Sequence, residues 1–111
     1  GDGWGSNLNF PRQAFAGDTD YINAIENKLI PAIQKFNPDL IIISAGFDAH
    51  ENDPLAQIEL STECYGKMTQ QLLEAADNVC EGRVLSMLEG GYDYTALGDS
   101  VHLHVETLLN P

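Results

Sequence analysis

The residues best equipped for chemistry lie in two short stretches, SAGFDAHENDPL (Ser44 to Leu55) and EGGYD (Glu89 to Asp93). The first gathers Asp48, His50, Glu51 and Asp53 directly after an apolar run. A carboxylate there can bind a cation, take up a proton or cap a turn, and Asp is common in turns. Asp48 and His50 form a D-x-H pair. If the strand continued, both side chains would share one face and could offer two ligands to a zinc ion. A zinc site needs three or four protein ligands, however, and the other histidines, His102 and His104, stand far along the chain. His104 falls on the apolar face of the last helical pattern and is expected to be a satisfied core histidine. His102 is expected at the surface. Asp53-Pro54 is a turn signature, with Asp53 expected to organise its loop by bonding backbone N–H groups. Leu55 follows either as a core anchor or as part of a substrate wall.

In the second stretch, Gly90 and Gly91 permit positive φ or close approach to a ligand. A tyrosine held behind them, Tyr92, could donate its O–H to a developing oxyanion, or it could pack in an ordinary strand-ending turn. Other chemistries fail on context. There is no GxSxG elbow, and neither Cys64 nor Cys80 has a neighbouring base. The opening GDGWG precedes a strand pattern rather than following one, which removes the phosphate-loop reading.

The elements that must position these residues follow from hydrophobic spacing. Asn7 to Phe10 predicts a short strand, closed by Pro11. Asp18 or Thr19 is placed to cap a helix whose apolar face is Ile22, Ile25, Leu29, Ile33 and Phe36. Pro31 inside it predicts a kink, and Asn37-Pro38 its end. Asp39 to Ser44 is a β-branched run suited to a strand buried in a parallel sheet. Ser61 or Thr62 caps a second helix with Tyr65, Met68, Leu72, Ala76 and Val79 inward. Arg83 to Leu88 is a further strand, and Leu97, Val101, Val105 and Leu108 mark a last helix. Strand and helix alternate, so a parallel α/β sheet with helices on both faces is expected. Both chemical stretches then leave carboxyl ends of strands, where such sheets bind ligands.

Composition narrows the function. A chain of 111 residues, 43% hydrophobic and 20% charged, is one globular domain or part of one. No apolar run is long enough to span a membrane. No secretory leader is visible, and the first residue is Gly, so the start is expected to be a fragment boundary. Seventeen acidic residues against 5 basic give a net charge of −12. That disfavours nucleic acid and anionic membranes. It suits solubility, or attraction of a basic substrate such as a lysine-rich tail or a polyamine. The 2 cysteines form no CxxC and are expected to be buried free thiols of a cytoplasmic protein.

Taken together, NPDLIIISAGFDAHENDPL, a helix with Tyr65 and Met68, and RVLSMLEGGYDYTALGDSV resemble the C-terminal half of a zinc-dependent histone deacetylase-like domain. The nearest likeness is to the class II and acetylpolyamine amidohydrolase group, where SAGFDAH, DPL and LEGGY occur in this order. The upstream NLNFP and AGDTDYINAIENKLIPAIQKFNPD are similar to that family's run into the strand. The resemblance covers essentially the whole chain. It implies the C-terminal part of an arginase/deacetylase-like fold, with residues 1–111 one fragment of the domain. It implies removal of acetyl groups from acetyl-lysine, an acetylpolyamine or a related amide, with Zn2+ as the parent family's metal.

By position, the resemblance makes Asp48 a zinc ligand and Tyr92 the catalytic tyrosine that hydrogen-bonds the polarised carbonyl. Gly90 and Gly91 would line the acetyl pocket. Leu55 would form an apolar wall of the acyl-lysine channel, shaped by Asp53 and Pro54. His50 matches no ligand, which sets the D-x-H idea aside. The family's histidine pair and its two other zinc ligands have no counterpart in this sequence. The isolated chain is therefore expected to bind no zinc alone and to be inactive alone. The alternative is a standalone, non-catalytic α/β module that self-associates, for instance as a homodimer, or binds a partner protein. A truncated sheet would expose a strand edge and apolar surface for that purpose.

Overall fold

The β-branched run after Pro38 forms strand β1, Ile41–Ala45, and the later run forms β2, Val84–Leu88. They pair in parallel, from Ile41 opposite Val84 to Ala45 opposite Leu88. Parallel neighbours need a crossover connection, and helix α3, Thr62–Cys80, provides it. Helices α1, Asp18–Ala24, and α2, Ile30–Phe36, precede the sheet, and α4, Tyr94–Leu109, follows it. This computed structural model describes residues 5–110, so the first four residues of the opening GDGWG lie outside the described residues.

Local chemistry explains the boundaries. Ser61 starts α3 by accepting the Cys64 N–H at 3.1 Å, as expected. Asp93 starts α4 by accepting the Ala96 N–H at 2.8 Å. At α1 the cap differs from expectation, for Gly17 holds the capping position. Asp18 instead accepts the Ser61 N–H at 2.8 Å and the Ser61 hydroxyl at 2.6 Å, tying the starts of α1 and α3 together. The kink expected at Pro31 is a π-helical turn, Ile25–Leu29, between α1 and α2. Proline brings no N–H and crowds the carbonyl four residues earlier, and a widened turn just ahead absorbs both effects. Asn37 ends α2 in the left-handed region at φ 54°, its N–H returning to Ile33 O at 2.8 Å.

One expected strand is absent. Asn7 to Phe10 is irregular, and Leu8 is 52% exposed. Half of this tetrad is asparagine, which is depleted in strands, and it joins no described sheet. The described sheet therefore has two strands.

The core lies between one sheet face and the helices. Ala45, Phe47, Leu60, Cys64 and Tyr65 form it, with Ile22, Ile43, Met68, Leu97 and Val101 packed around. The buried face of α3 is broader than expected, with Cys64, Thr69, Leu73 and Cys80 joining Tyr65 and Ala76, while Met68, Leu72 and Val79 are half-buried. Gly66 lets α4 pack closely on one side of this face. A Cβ there would stand 2.8 Å from Leu103 Cδ2, so α4 closes tightly on the glycine side. Both thiols are free and buried, and burial, with Asp18 nearby, pushes Cys64 up to about 12.

His104 is a buried, satisfied core histidine, as its spacing suggested. Thr69 Oγ1 lies 2.7 Å from its Nδ1, and Ser86 Oγ lies 2.8 Å from its Nε2. The Thr69 hydroxyl spends its proton on Tyr65 O at 2.7 Å. Nδ1 must therefore carry the imidazole hydrogen, and Nε2 accepts from Ser86.

On the opposite sheet face, Ile42, Leu85 and Met87 are 59%, 49% and 59% exposed. Among the described residues, no helix is long and apolar enough to cross a membrane.

Candidate active site

Parallel pairing brings the carboxyl ends of β1 and β2 to the same edge, and the backbone then joins the two loops that leave them. Glu89 N–H donates to Ala45 O at 2.9 Å, and Phe47 N–H donates to Gly90 O at 2.7 Å. SAGFDAHENDPL and LEGGYD are thus stitched side by side before any side chain is considered.

Asp48 stands three residues beyond β1 and is partly buried. Its carboxylate accepts no hydrogen bond among the described residues. Two glycines keep it clear. A Cβ at Gly46 would lie 3.3 Å from Oδ1, and one at Gly90 would lie 3.2 Å from Oδ2. The charge is felt by neighbouring phenols. Burial first, then Asp48, raises the Tyr65 pKa, and Tyr65 Oη is buried without a hydrogen-bond partner among the described residues. Tyr21 is raised by burial and by Asp48, against an opposing effect of Arg12.

His50 faces away from ligand duty. It is 4% exposed. Its Nδ1 accepts the Asn52 N–H at 3.1 Å, which leaves Nε2 to donate to Thr62 Oγ1 at 2.9 Å. Both nitrogens are occupied by its own loop and by the start of α3. His50 is indeed a loop residue, but a buried one that pins the loop to a helix.

Asp53 organises its loop, with Oδ1 accepting the Leu55 N–H at 2.9 Å. It also does what spacing gave no hint of, since Oδ2 accepts the Tyr92 N–H at 2.8 Å across 39 positions of sequence. Burial on its own would raise this carboxyl. The amides of Leu55, Tyr92 and Ala56, helped by His50, outweigh it and hold the pKa below the ordinary 3.8. A sequence clue existed only in retrospect: an Asp-Pro turn and a glycine turn leaving adjacent strands.

The side chains of Leu55 and Tyr92 are 68% and 55% exposed at this edge. Gly90 faces the Asp48 carboxylate. Gly91 has φ +147° and is pressed from behind, since a Cβ there would stand 2.6 Å from Leu97 Cδ1 and 3.4 Å from Phe47 Cβ. The site thus offers an open carboxylate, an exposed phenol and an exposed apolar side chain around two bare backbone positions.

A zinc ion bound by protein side chains needs more than this. Among the described residues, no group of three or more His, Cys, Asp or Glu is placed to hold a metal. Asp48 has the chemistry of a single ligand, its carboxylate without a hydrogen-bond donor among the described residues and faced by Gly46 and Gly90.

Comparison with known proteins gives a consistent pattern. The family profile of the histone deacetylase domain matches residues 1–108. Histone deacetylase 14, chloroplastic, of Arabidopsis thaliana is 40% identical over 101 residues, which is 91% of this chain and 24% of the relative. Polyamine deacetylase HDAC10 of Homo sapiens is 40% identical over 110 residues, 98% of this chain and 16% of the relative. The crystal structure of the HDA15 HD domain superposes with a TM-score of 0.79 at 38% identity, covering 87% of this chain and 26% of that one. The chain spans less than a quarter of the length of these curated relatives.

Proposed function

Because the chain belongs to the histone deacetylase domain family, we propose that it serves as the C-terminal part of a zinc-dependent amidohydrolase. Its substrates would be acetyl-lysine, acetylpolyamines or related acetylated amines. The observation that carries this reading is the pair of stitched loops, which sets the open Asp48 carboxylate and the exposed Tyr92 on one edge of the sheet.

In this reading Asp48 supplies one carboxylate ligand to zinc, with the remaining ligands and the general base contributed from outside the described residues. Zinc, when bound, supplies Lewis-acid activation of the amide carbonyl and of water. Tyr92 donates its phenolic hydrogen to the carbonyl oxygen as negative charge builds there. Gly90 and Gly91 leave room for the acetyl methyl, and Leu55 lies against the aliphatic chain of the substrate. The net charge of −12 favours approach of a cationic amine or a lysine-rich peptide.

The test is made in the full-length protein carrying this segment, with an acetyl-lysine peptide and an acetylpolyamine as substrates. Tyr92→Phe is expected to lower kcat about 100-fold or more. Asp48→Ala is expected to lower both activity and zinc content. Full activity in both variants would end the proposal. The segment on its own, lacking the other ligands, is proposed to retain no zinc on dialysis and to be inactive. Two buried free thiols suit a reducing compartment such as the cytoplasm. A homodimer of the isolated chain is proposed through the exposed face of Ile42, Leu85 and Met87.

A further inference from the structure

Asp53 lies behind the residues that would touch substrate, yet it is 7% exposed and engages both walls of the site. One carboxylate oxygen holds the Leu55 N–H at 2.9 Å and the other holds the Tyr92 N–H at 2.8 Å. Such bonds to an ionised acceptor are shorter and stronger than neutral ones. The carboxylate does not hang on a free loop. The Asp53 N–H is held by His50 O at 2.9 Å, and His50 is fixed in turn by Thr62 at the first turn of α3.

Tyr92 needs that support. It follows two glycines, the least restricted backbone in the sequence, and Gly91 sits at φ +147°. Phe47 N–H secures Gly90 O on the near side of the pair. On the far side, the Asp53 bond to the Tyr92 N–H is what fixes where the phenol leaves the backbone.

We propose that Asp53 is a positioning residue for the proposed deacetylation, a two-armed clamp that sets the Tyr92 phenol at a fixed offset from the Leu55 wall. This rests on the reading of Tyr92 as the carbonyl's hydrogen-bond donor. Asparagine cannot replace it. The amide has one acceptor oxygen, so its NH2 is turned against whichever backbone N–H the oxygen does not serve.

Two measurements test the clamp. In the isotope-labelled chain, Asp53→Asn is expected to shift the Tyr92 or Leu55 amide resonance and raise its hydrogen exchange about tenfold or more, as expected of a lost hydrogen bond. Unchanged resonances and exchange at both amides would overturn the clamp. In the full-length protein, Asp53→Asn is expected to lower kcat about tenfold or more with KM within about twofold, as for a misplaced catalytic group. On a Tyr92→Phe background the same change is expected to add less than about twofold, because the two residues act as a unit. An equal loss on both backgrounds would mean general damage and overturn the positioning role. If Asp53→Asn does not fold, Asp53→Glu, which keeps both acceptors on a longer arm, is expected to show the same loss in kcat, and wild-type kcat in it overturns the proposal. A full-length wild type with no deacetylase activity would overturn the deacetylase reading, while the amide measurement still decides the clamp.

Discussion

At the scale of single residues, the two glycines of the LEGGY turn look alike in sequence and are different in space. Gly90 is limited by the Asp48 carboxylate in front of it, whereas Gly91 is limited by Leu97 and Phe47 behind it and by its positive φ. Gly91→Ala is therefore expected to destabilise the fold by about 2 kcal/mol or more, from overpacking and backbone strain together. Gly90→Ala is expected to cost about 1 kcal/mol or less, since a carboxylate can rotate away. Urea midpoints of the two variants make the comparison, and a reversed order would contradict it. The order and context of the motifs singled out Asp48, Tyr92 and both glycines as residues at the carboxyl ends of the strands, where the structure has them. It did not carry the clamp from Asp53 to Tyr92, because hydrogen bonds across 39 positions leave no periodicity to read.

At the scale of elements, patterning succeeded where apolar faces meet a neighbour within the chain. It failed at Asn7 to Phe10, which alternates polar and apolar residues as a strand does yet is irregular in the structure. The buried face of α3 is broader than its large apolar residues suggest, because small residues such as Gly66 let α4 approach closely. The α3, β2 and α4 elements are joined by Thr69, Ser86 and His104, which makes their packing pH-sensitive. Burial lowers the His104 pKa from 6.5. The unfolded chain then binds a proton that the folded one resists, so stability is complete above that value and falls as pH drops below it. Asp18 and Asp53 are lowered from 3.8 and act in the same direction further down, with their contribution lost as pH falls through their folded values. Urea midpoints are thus expected to fall from pH 7.5 to pH 5.5 in wild type and to change less in His104→Gln. Equal slopes would remove His104 as the cause.

At the scale of the whole molecule, helices pack against one face of the described two-stranded sheet and leave apolar residues of the other face exposed. Ile42, Leu85 and Met87 are 59%, 49% and 59% exposed. Surfaces of that kind mark a missing neighbour. The isolated chain is expected to self-associate with rising concentration in sedimentation experiments. Ile42→Lys together with Met87→Glu is expected to favour the monomer, and a monomeric wild type at high concentration would contradict the expectation. The parallel α/β class was legible because each of β1, α3, β2 and α4 has its own strong local pattern. That only one sheet face is covered was not, since strands buried on two faces and strands awaiting a partner have the same apolar composition.

The main-chain bonds from Glu89 to Ala45 and from Phe47 to Gly90 have one more consequence. They require only peptide groups, so side chains in both loops can change without parting them. Tyr92 can therefore be exchanged for another residue while the backbone contact between the two strand ends persists.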